Sequence, residues 1–134
     1  MNQPFRITIN LSSSTPIYRQ IADCVVSGIA TGKLKAGDTL PSSRQLAKLL
    51  GINYHTINKG YEVLIRGGYI FMDRRKRLFV SEKGKEKVKG LDPNWTENMK
   101  KSLMEALSKG LEGEEVLNKI AEILDSVREK EADR

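Results

Sequence analysis

Apolar and polar residues alternate at the start of the chain. Phe5, Ile7, Ile9 and Leu11 are separated by Arg6, Thr8 and Asn10, the period of two that predicts a short, half-buried strand. A hydroxyl-rich run from Ser12 to Thr15 then meets Pro16, and a capping threonine before a proline at the first helical position predicts a helix start. Ile17, Ile21, Cys24, Val25 and Ile29 recur at helical spacing as far as Gly32, so this first helix is amphipathic. Lys33 to Pro41 is turn-rich: Leu34 and Leu40 are its anchors to a core, and Gly37 supplies backbone freedom.

Ser42-Ser43-Arg44-Gln45 has the form of a capping box and opens a second, short helix whose Leu46, Leu49 and Leu50 are expected to face inward. Gly51 ends it, and Asn53 caps a third helix only two residues later, with Ile57, Tyr61, Leu64 and Ile65 as its inner stripe and Gly67-Gly68 as its stop. Two helices joined so tightly predict a helix-turn-helix. Tyr69 to Met72 and Leu78 to Val80 are β-prone runs on either side of Asp73-Arg74-Arg75-Lys76-Arg77, which adds a hairpin, or wing, with a basic tip.

Beyond the hairpin, Lys and Glu alternate from Ser81 to Gly90 in a stretch that reads as a polar connector. Asp92-Pro93 again pairs a cap with a proline, and Trp95, Met99, Leu103, Ala106 and Leu107 share one helical face up to a break at Gly110 to Gly113. Leu117, Ile120, Leu124 and Val127 follow at spacings of three, four and three, with Val116 and Ile123 widening the stripe. A hairpin of two such helices has too little interior to hide both apolar faces, so the surplus is expected against a second copy of the chain or the front domain. A homodimer is expected, with Trp95, Met99, Leu103, Leu107, Val116, Leu117, Ile120, Leu124 and Val127 at its interface. A small-molecule cavity lined by Trp95, Met99 and Leu103 is the alternative for that face.

The architecture expected is therefore mainly α with a small β wing. A winged helix-turn-helix domain would span residues 1–82, a polar connector 83–91, and a two-helix dimerisation tail 92–134. A chain of 134 residues can bury one modest core and a small appendage, which excludes a large multi-domain machine. No run nears the roughly 18 apolar residues of a membrane span, and the start lacks the grading of a signal peptide, so a cytoplasmic protein without a membrane partner is expected. The net charge of +6 is unevenly shared. Residues 1–90 hold 16 Lys/Arg against 6 Asp/Glu, and residues 91–134 hold 7 against 11. A basic front meeting a polyanion and a basic front that merely aids solubility both fit that division.

Enzyme chemistry finds little support. The chain has no phosphate-cradling glycine loop or nucleophile elbow, and its single histidine, His55, has no positioned carboxylate partner visible in the sequence. With one cysteine and one histidine it cannot assemble the usual zinc ligand set, and no metal or other cofactor is expected. Cys24 and Tyr61 fall on apolar stripes and are assigned to packing.

From Pro16 to Ile70 the chain resembles the DNA-binding domain of the GntR family of transcription regulators. The resemblance rests on Pro16-Ile17-Tyr18-Arg19-Gln20-Ile21, Gly32-Lys33-Leu34, Gly37, Leu40-Pro41-Ser42, Arg44, Leu46-Ala47, Leu50-Gly51 and Gly68-Tyr69-Ile70. Ile52-Asn53, His55-Thr56-Ile57, Lys59, Tyr61 and the short tail look most like its YtrA subfamily. That likeness implies a homodimeric repressor of its own operon and of ABC-type transporter genes, bound to near-palindromic double-stranded DNA. Two positions and one four-residue stretch depart from the family pattern. Tyr54 and Asn58 stand where arginines are common, and Arg75-Lys76-Arg77-Leu78 replaces the usual Gly-x-Gly-Thr of the wing.

The resemblance places Ser43, Arg44, Tyr54, His55, Thr56, Asn58 and Lys59 at the DNA. The Arg44 fork matches guanine O6 and N7, although an exposed arginine in an ordinary surface pair is the alternative. Asn58 can bond adenine bidentately, and Thr56 can hold a phosphate. Tyr54 and His55 either read bases or support the turn. Lys59 with Arg74, Arg75, Lys76 and Arg77 would neutralise phosphates independently of sequence, a merely solvated hairpin tip being the alternative. A sequence-tolerant architectural DNA- or RNA-binding protein is one rival reading, an interaction adaptor whose acidic hairpin binds another factor is a second, and a small-molecule effector has no motif to reveal it.

Overall fold

A computed structural model of the protein describes residues 5–82 and 93–132, and its contacts divide the chain into two units, Met1–Gly84 and Lys85–Arg134. The polar connector expected at residues 83–91 lies outside the described residues, as does Asp92.

The first unit contains α1 (Ile17–Ala30), β1 (Thr39–Leu40), α2 (Ser43–Leu50), α3 (Tyr54–Arg66), β2 (Ile70–Met72) and β3 (Leu78–Val80). The strands form an antiparallel sheet in the order β1-β3-β2. Its register pairs Thr39 with Phe79, Phe71 with Phe79 and Ile70 with Val80. Ile21 and Val25 of α1, Leu46 of α2, Ile57, Tyr61 and Leu64 of α3, and Leu40, Ile70, Leu78 and Val80 of the sheet make one buried core. Burying branched and aliphatic side chains of this size contributes about 1.5–3 kcal/mol each, so this cluster dominates the stability of the unit.

Several expectations need correction. Residues 5–11 form no strand. Ile7 is buried and Phe5 and Ile9 pack on the core, but Leu11 is 76% exposed. The alternation records burial without a ladder, because at Asn10 the backbone is tied to a side chain: its N–H donates to Gln20 Oε1 at 2.7 Å, and its carbonyl accepts from Gln20 Nε2 at 3.1 Å. Thr15 does not cap α1. Pro16 occupies the cap position with no side-chain cap, and the Thr15 carbonyl accepts from Gln20 Nε2 instead. In α2, Leu46 is buried while Leu49 is 76% exposed. In α3, Ile65 is 39% exposed, and the inward surface includes Gly60 instead. The two-residue strand β1 was not anticipated, since a pair of residues carries no readable period.

Gly60 sits where α3 meets α1. A Cβ there would lie 2.9 Å from the Tyr18 carbonyl oxygen and 3.2 Å from Ile21 side-chain atoms. Two helices can approach so closely only because the side chain is missing.

The second unit contains α4 (Trp95–Ser108) and α5 (Gly113–Ala132), joined through Gly110 at φ 100°. Pro93 precedes the helix rather than opening it, and Asn94 holds the cap position. Among the hydrophobic side chains described in this unit, Val116 alone is buried.

Gly60→Val is expected to destabilise the first unit by about 1–3 kcal/mol, as overpacking does, read as a lower urea midpoint. An unchanged midpoint would mean that α1 and α3 are not in close contact.

Candidate nucleic-acid interface

The junction of α2 and α3 is fixed by local chemistry. Ser42 Oγ accepts from Gln45 N at 3.1 Å, and Gln45 Oε1 accepts from Ser42 N at 3.0 Å, completing the capping box. Gly51 ends α2 in the left-handed region at φ 67°, where residues with a Cβ are strained. Two residues on, Asn53 Oδ1 accepts from His55 N at 2.9 Å and starts α3. The Tyr61 hydroxyl then reaches across to donate to the Pro41 carbonyl at 2.8 Å, pinning α3 to the entry of α2. Burial pushes the Tyr61 phenol well above its usual range, so it stays a neutral donor at physiological pH.

Three links hold the open side of this junction. The Ser43 hydroxyl donates to Asn58 Oδ1, bridging the first residue of α2 to α3. An adenine contact by Asn58 would therefore share that oxygen with Ser43. The Arg44 guanidinium carbon lies 4.8 Å from the centroid of the Tyr54 ring, and that ring lies 4.3 Å from the His55 ring. Arg44, His55 and Lys59 are exposed, while Tyr54, Thr56 and Asn58 are half-buried. Lys59 is turned toward α1, with its Nζ 4.2 Å from the centroid of the Tyr18 ring.

The wing is a three-residue loop, Arg74-Arg75-Lys76, closed by Asp73 N donating to the Arg77 carbonyl at 2.9 Å. Lys76 N donates to the Asp73 carbonyl at 3.0 Å, making a tight turn, and Lys76 itself adopts φ 63°. Glycine is the usual occupant of that left-handed position in such loops. Here a lysine holds it because the Asp73 carboxylate clamps the loop. Its Oδ1 accepts from Arg75 N at 2.9 Å and Arg77 N at 2.8 Å, and its Oδ2 pairs with Arg77 Nε at 3.0 Å. The Arg77 backbone hydrogen bond, helped by the Arg77 side chain, holds the Asp73 carboxyl below its ordinary range. A depressed carboxylate contributes order above the ordinary range and loses it as pH falls through the lowered value, so the clamp is fully set at neutral pH. Arg74, Arg75 and Lys76 project into solvent, whereas Arg77 also lies over the Phe79 ring at 5.6 Å, and Phe71 stacks on that same ring.

The sequence alone gave no positioning role to Tyr18, Asp73 or Phe79. An aspartate opening a turn is a local signal for a side-chain clamp and was available for Asp73. Tyr18 meets Lys59 only through the packing of α1 on α3, which linear spacing does not report.

In the second unit, Trp95, Met99, Leu107, Leu117, Leu124 and Val127 are all exposed, Leu103 and Ile120 are half-buried and Val116 is buried. Among the described residues no helix is long and apolar enough to cross a membrane.

Comparison with known proteins places this geometry. Residues 17–80 match the family described as bacterial regulatory proteins, gntR family. The HTH-type transcriptional repressor YtrA of Bacillus subtilis is 36% identical over 123 residues, spanning 91% of this chain and 95% of that protein. The solved structure of YtrA from Sulfolobus acidocaldarius, titled a GntR-family transcription factor, is 39% identical and superimposes with a TM-score of 0.62 over 76% of this chain and 97% of that one. A structure titled a transcriptional antiterminator from Listeria monocytogenes shares the fold at a TM-score of 0.74, with 24% identity over 94% of this chain and 95% of that one. These relatives are regulators of transcription and not enzymes. The winged helix-turn-helix built here on α2, α3 and the β2–β3 hairpin is thus a DNA-binding domain, and the chain belongs to the gntR family of bacterial regulatory proteins.

Proposed function

We propose that the protein is a homodimeric, site-specific repressor. In this reading Ser43, Arg44 and the first turns of α3 read bases in the major groove, and the wing grips the flanking backbone. The observation that carries the proposal is the state of Arg44: its charge is held on the Tyr54 ring, with no carboxylate within ion-pair distance among the described residues. A guanidinium fixed in place yet electrically free is suited to a guanine edge. The repressor role draws on the name of the Bacillus subtilis relative. The family likeness extends the proposal to control of the protein's own operon and of ABC-type transporter genes.

The dimer draws on the tail. Leu117, Ile123, Leu124 and Val127 on α5 and Trp95 and Leu107 on α4 are all exposed large apolar side chains, the kind of surface that a second copy covers. A second copy covering it would give the complex a two-fold axis and a near-palindromic operator, with half-sites about 10 base pairs apart.

Arg44→Ala is expected to cost about 1–3 kcal/mol on a duplex selected from a random pool by the wild-type chain, and little on a scrambled duplex. Equal losses on both would assign Arg44 to positioning and favour the sequence-tolerant rival. Replacing Arg74, Arg75 and Lys76 by Gln should weaken both duplexes alike and reduce the slope of log K against log salt by about 0.9 per lost phosphate contact. An unchanged slope would remove the wing from the interface. Sedimentation should give a dimer for the intact chain and a monomer for Leu117→Glu/Leu124→Glu, and a wild-type monomer at micromolar concentration would contradict the dimer.

A further inference from the structure

Cations on this surface are held in two different ways. Arg66 pairs with Glu62 at 3.8 Å and Arg77 with Asp73 at 3.0 Å, so in these pairs a carboxylate offsets the charge. Lys59 and Arg19 instead share one aromatic ring. Lys59 Nζ lies 4.2 Å from the Tyr18 centroid and the Arg19 guanidinium carbon lies 5.5 Å from it, with no carboxylate within ion-pair distance of either among the described residues. The two charges are consequently no more than about 10 Å apart. Both side chains are exposed, and the ring they share is half-buried.

A ring holds a cation without neutralising it, because the attraction comes from its quadrupole and not from an opposite charge. It also removes rotamer freedom that an incoming anion would otherwise have to freeze. Two like charges held together this way repel one another until an anion arrives, so the arrangement favours a polyanion over an empty surface. The absence of a side chain at Gly60 brings the Tyr18 backbone against α3, one residue from Lys59, and so sets the position of the ring. We propose that Tyr18 is a positioning residue that presents Lys59 and Arg19 to the DNA backbone, making the start of α1 a phosphate-binding extension of the interface formed by α2, α3 and the wing. The inference rests on the DNA-binding reading above and adds α1 to it. Because backbone phosphates carry no sequence information, this extension supplies affinity and not selectivity.

The test uses the full chain with two duplexes, the one selected from a random pool and a scrambled one of equal composition, across a salt series. Tyr18→Leu should weaken both duplexes by a similar factor, about 5- to 30-fold, and lower the salt slope by about one or two units, while Tyr18→Phe restores wild-type behaviour. In the Tyr18→Leu background, Lys59→Ala should cost less than it does alone. Arg19→Gln, an exposed change that leaves the core untouched, should lower the slope by about 0.9 even if Tyr18→Leu fails to fold. Wild-type affinity and slope for Arg19→Gln, or a loss for Tyr18→Leu confined to the selected duplex, would overturn the proposal while leaving the DNA-binding reading standing. A wild-type chain that binds neither duplex would overturn that reading and this inference with it.

Discussion

The close approach of α3 to α1 at Gly60 is the constraint on which the rest of the first unit depends. A Cβ there would collide with the Tyr18 carbonyl at 2.9 Å, so the two helices share a contact that no other residue type fits without displacement. With α3 seated this deeply, Ile57, Tyr61 and Leu64 enter the core, and the opposite face of the helix is committed to solvent. The same seating lets the Tyr61 hydroxyl reach the Pro41 carbonyl, which fixes where α2 begins. The leading end of α3 is thus set by packing two turns away from it, on a rigid element.

That leading end is organised by rings and short polar links rather than by ion pairs. Arg44 on Tyr54, and Lys59 and Arg19 on Tyr18, are restricted while their cationic charge stays uncompensated, and Ser43 bonded to Asn58 adds a neutral link. The wing follows a different rule. Asp73 spends one negative charge to shape a loop whose Arg74, Arg75 and Lys76 remain exposed, and the clamp allows Lys76 to stand at φ 63° without a glycine. The loop thereby carries charge at its tip and tolerates backbone strain of about 1–2 kcal/mol at Lys76 to do so.

Much of this was legible in the sequence, because the signals are local. The Ser42–Gln45 capping box, the left-handed Gly51, the Asn53 cap and the hairpin around Asp73–Arg77 all appear where residue types within a few positions of one another dictate the backbone. What was missed depends on contacts distant along the chain. Ile65 and Leu49 lie on apolar stripes by spacing but fall at the edges of the buried face, where the angle between helices decides exposure. Residues 5–11 carry a strand's alternation yet meet Gln20 and the side of α1 in place of a strand edge. The contact between Tyr18 and Lys59 has no linear signature, and the Ser43–Asn58 bridge joins residues fifteen positions apart.

The central claim is that α2 and the leading end of α3 face base edges while α1 and the wing face phosphates. Combined hydroxyl-radical footprinting and guanine-N7 methylation interference on the selected duplex tests it most directly. The account predicts two protected backbone patches related by a two-fold axis about one helical turn apart, each flanking guanines whose methylation abolishes binding. Uniform protection along the duplex, with no base whose methylation interferes, would contradict it.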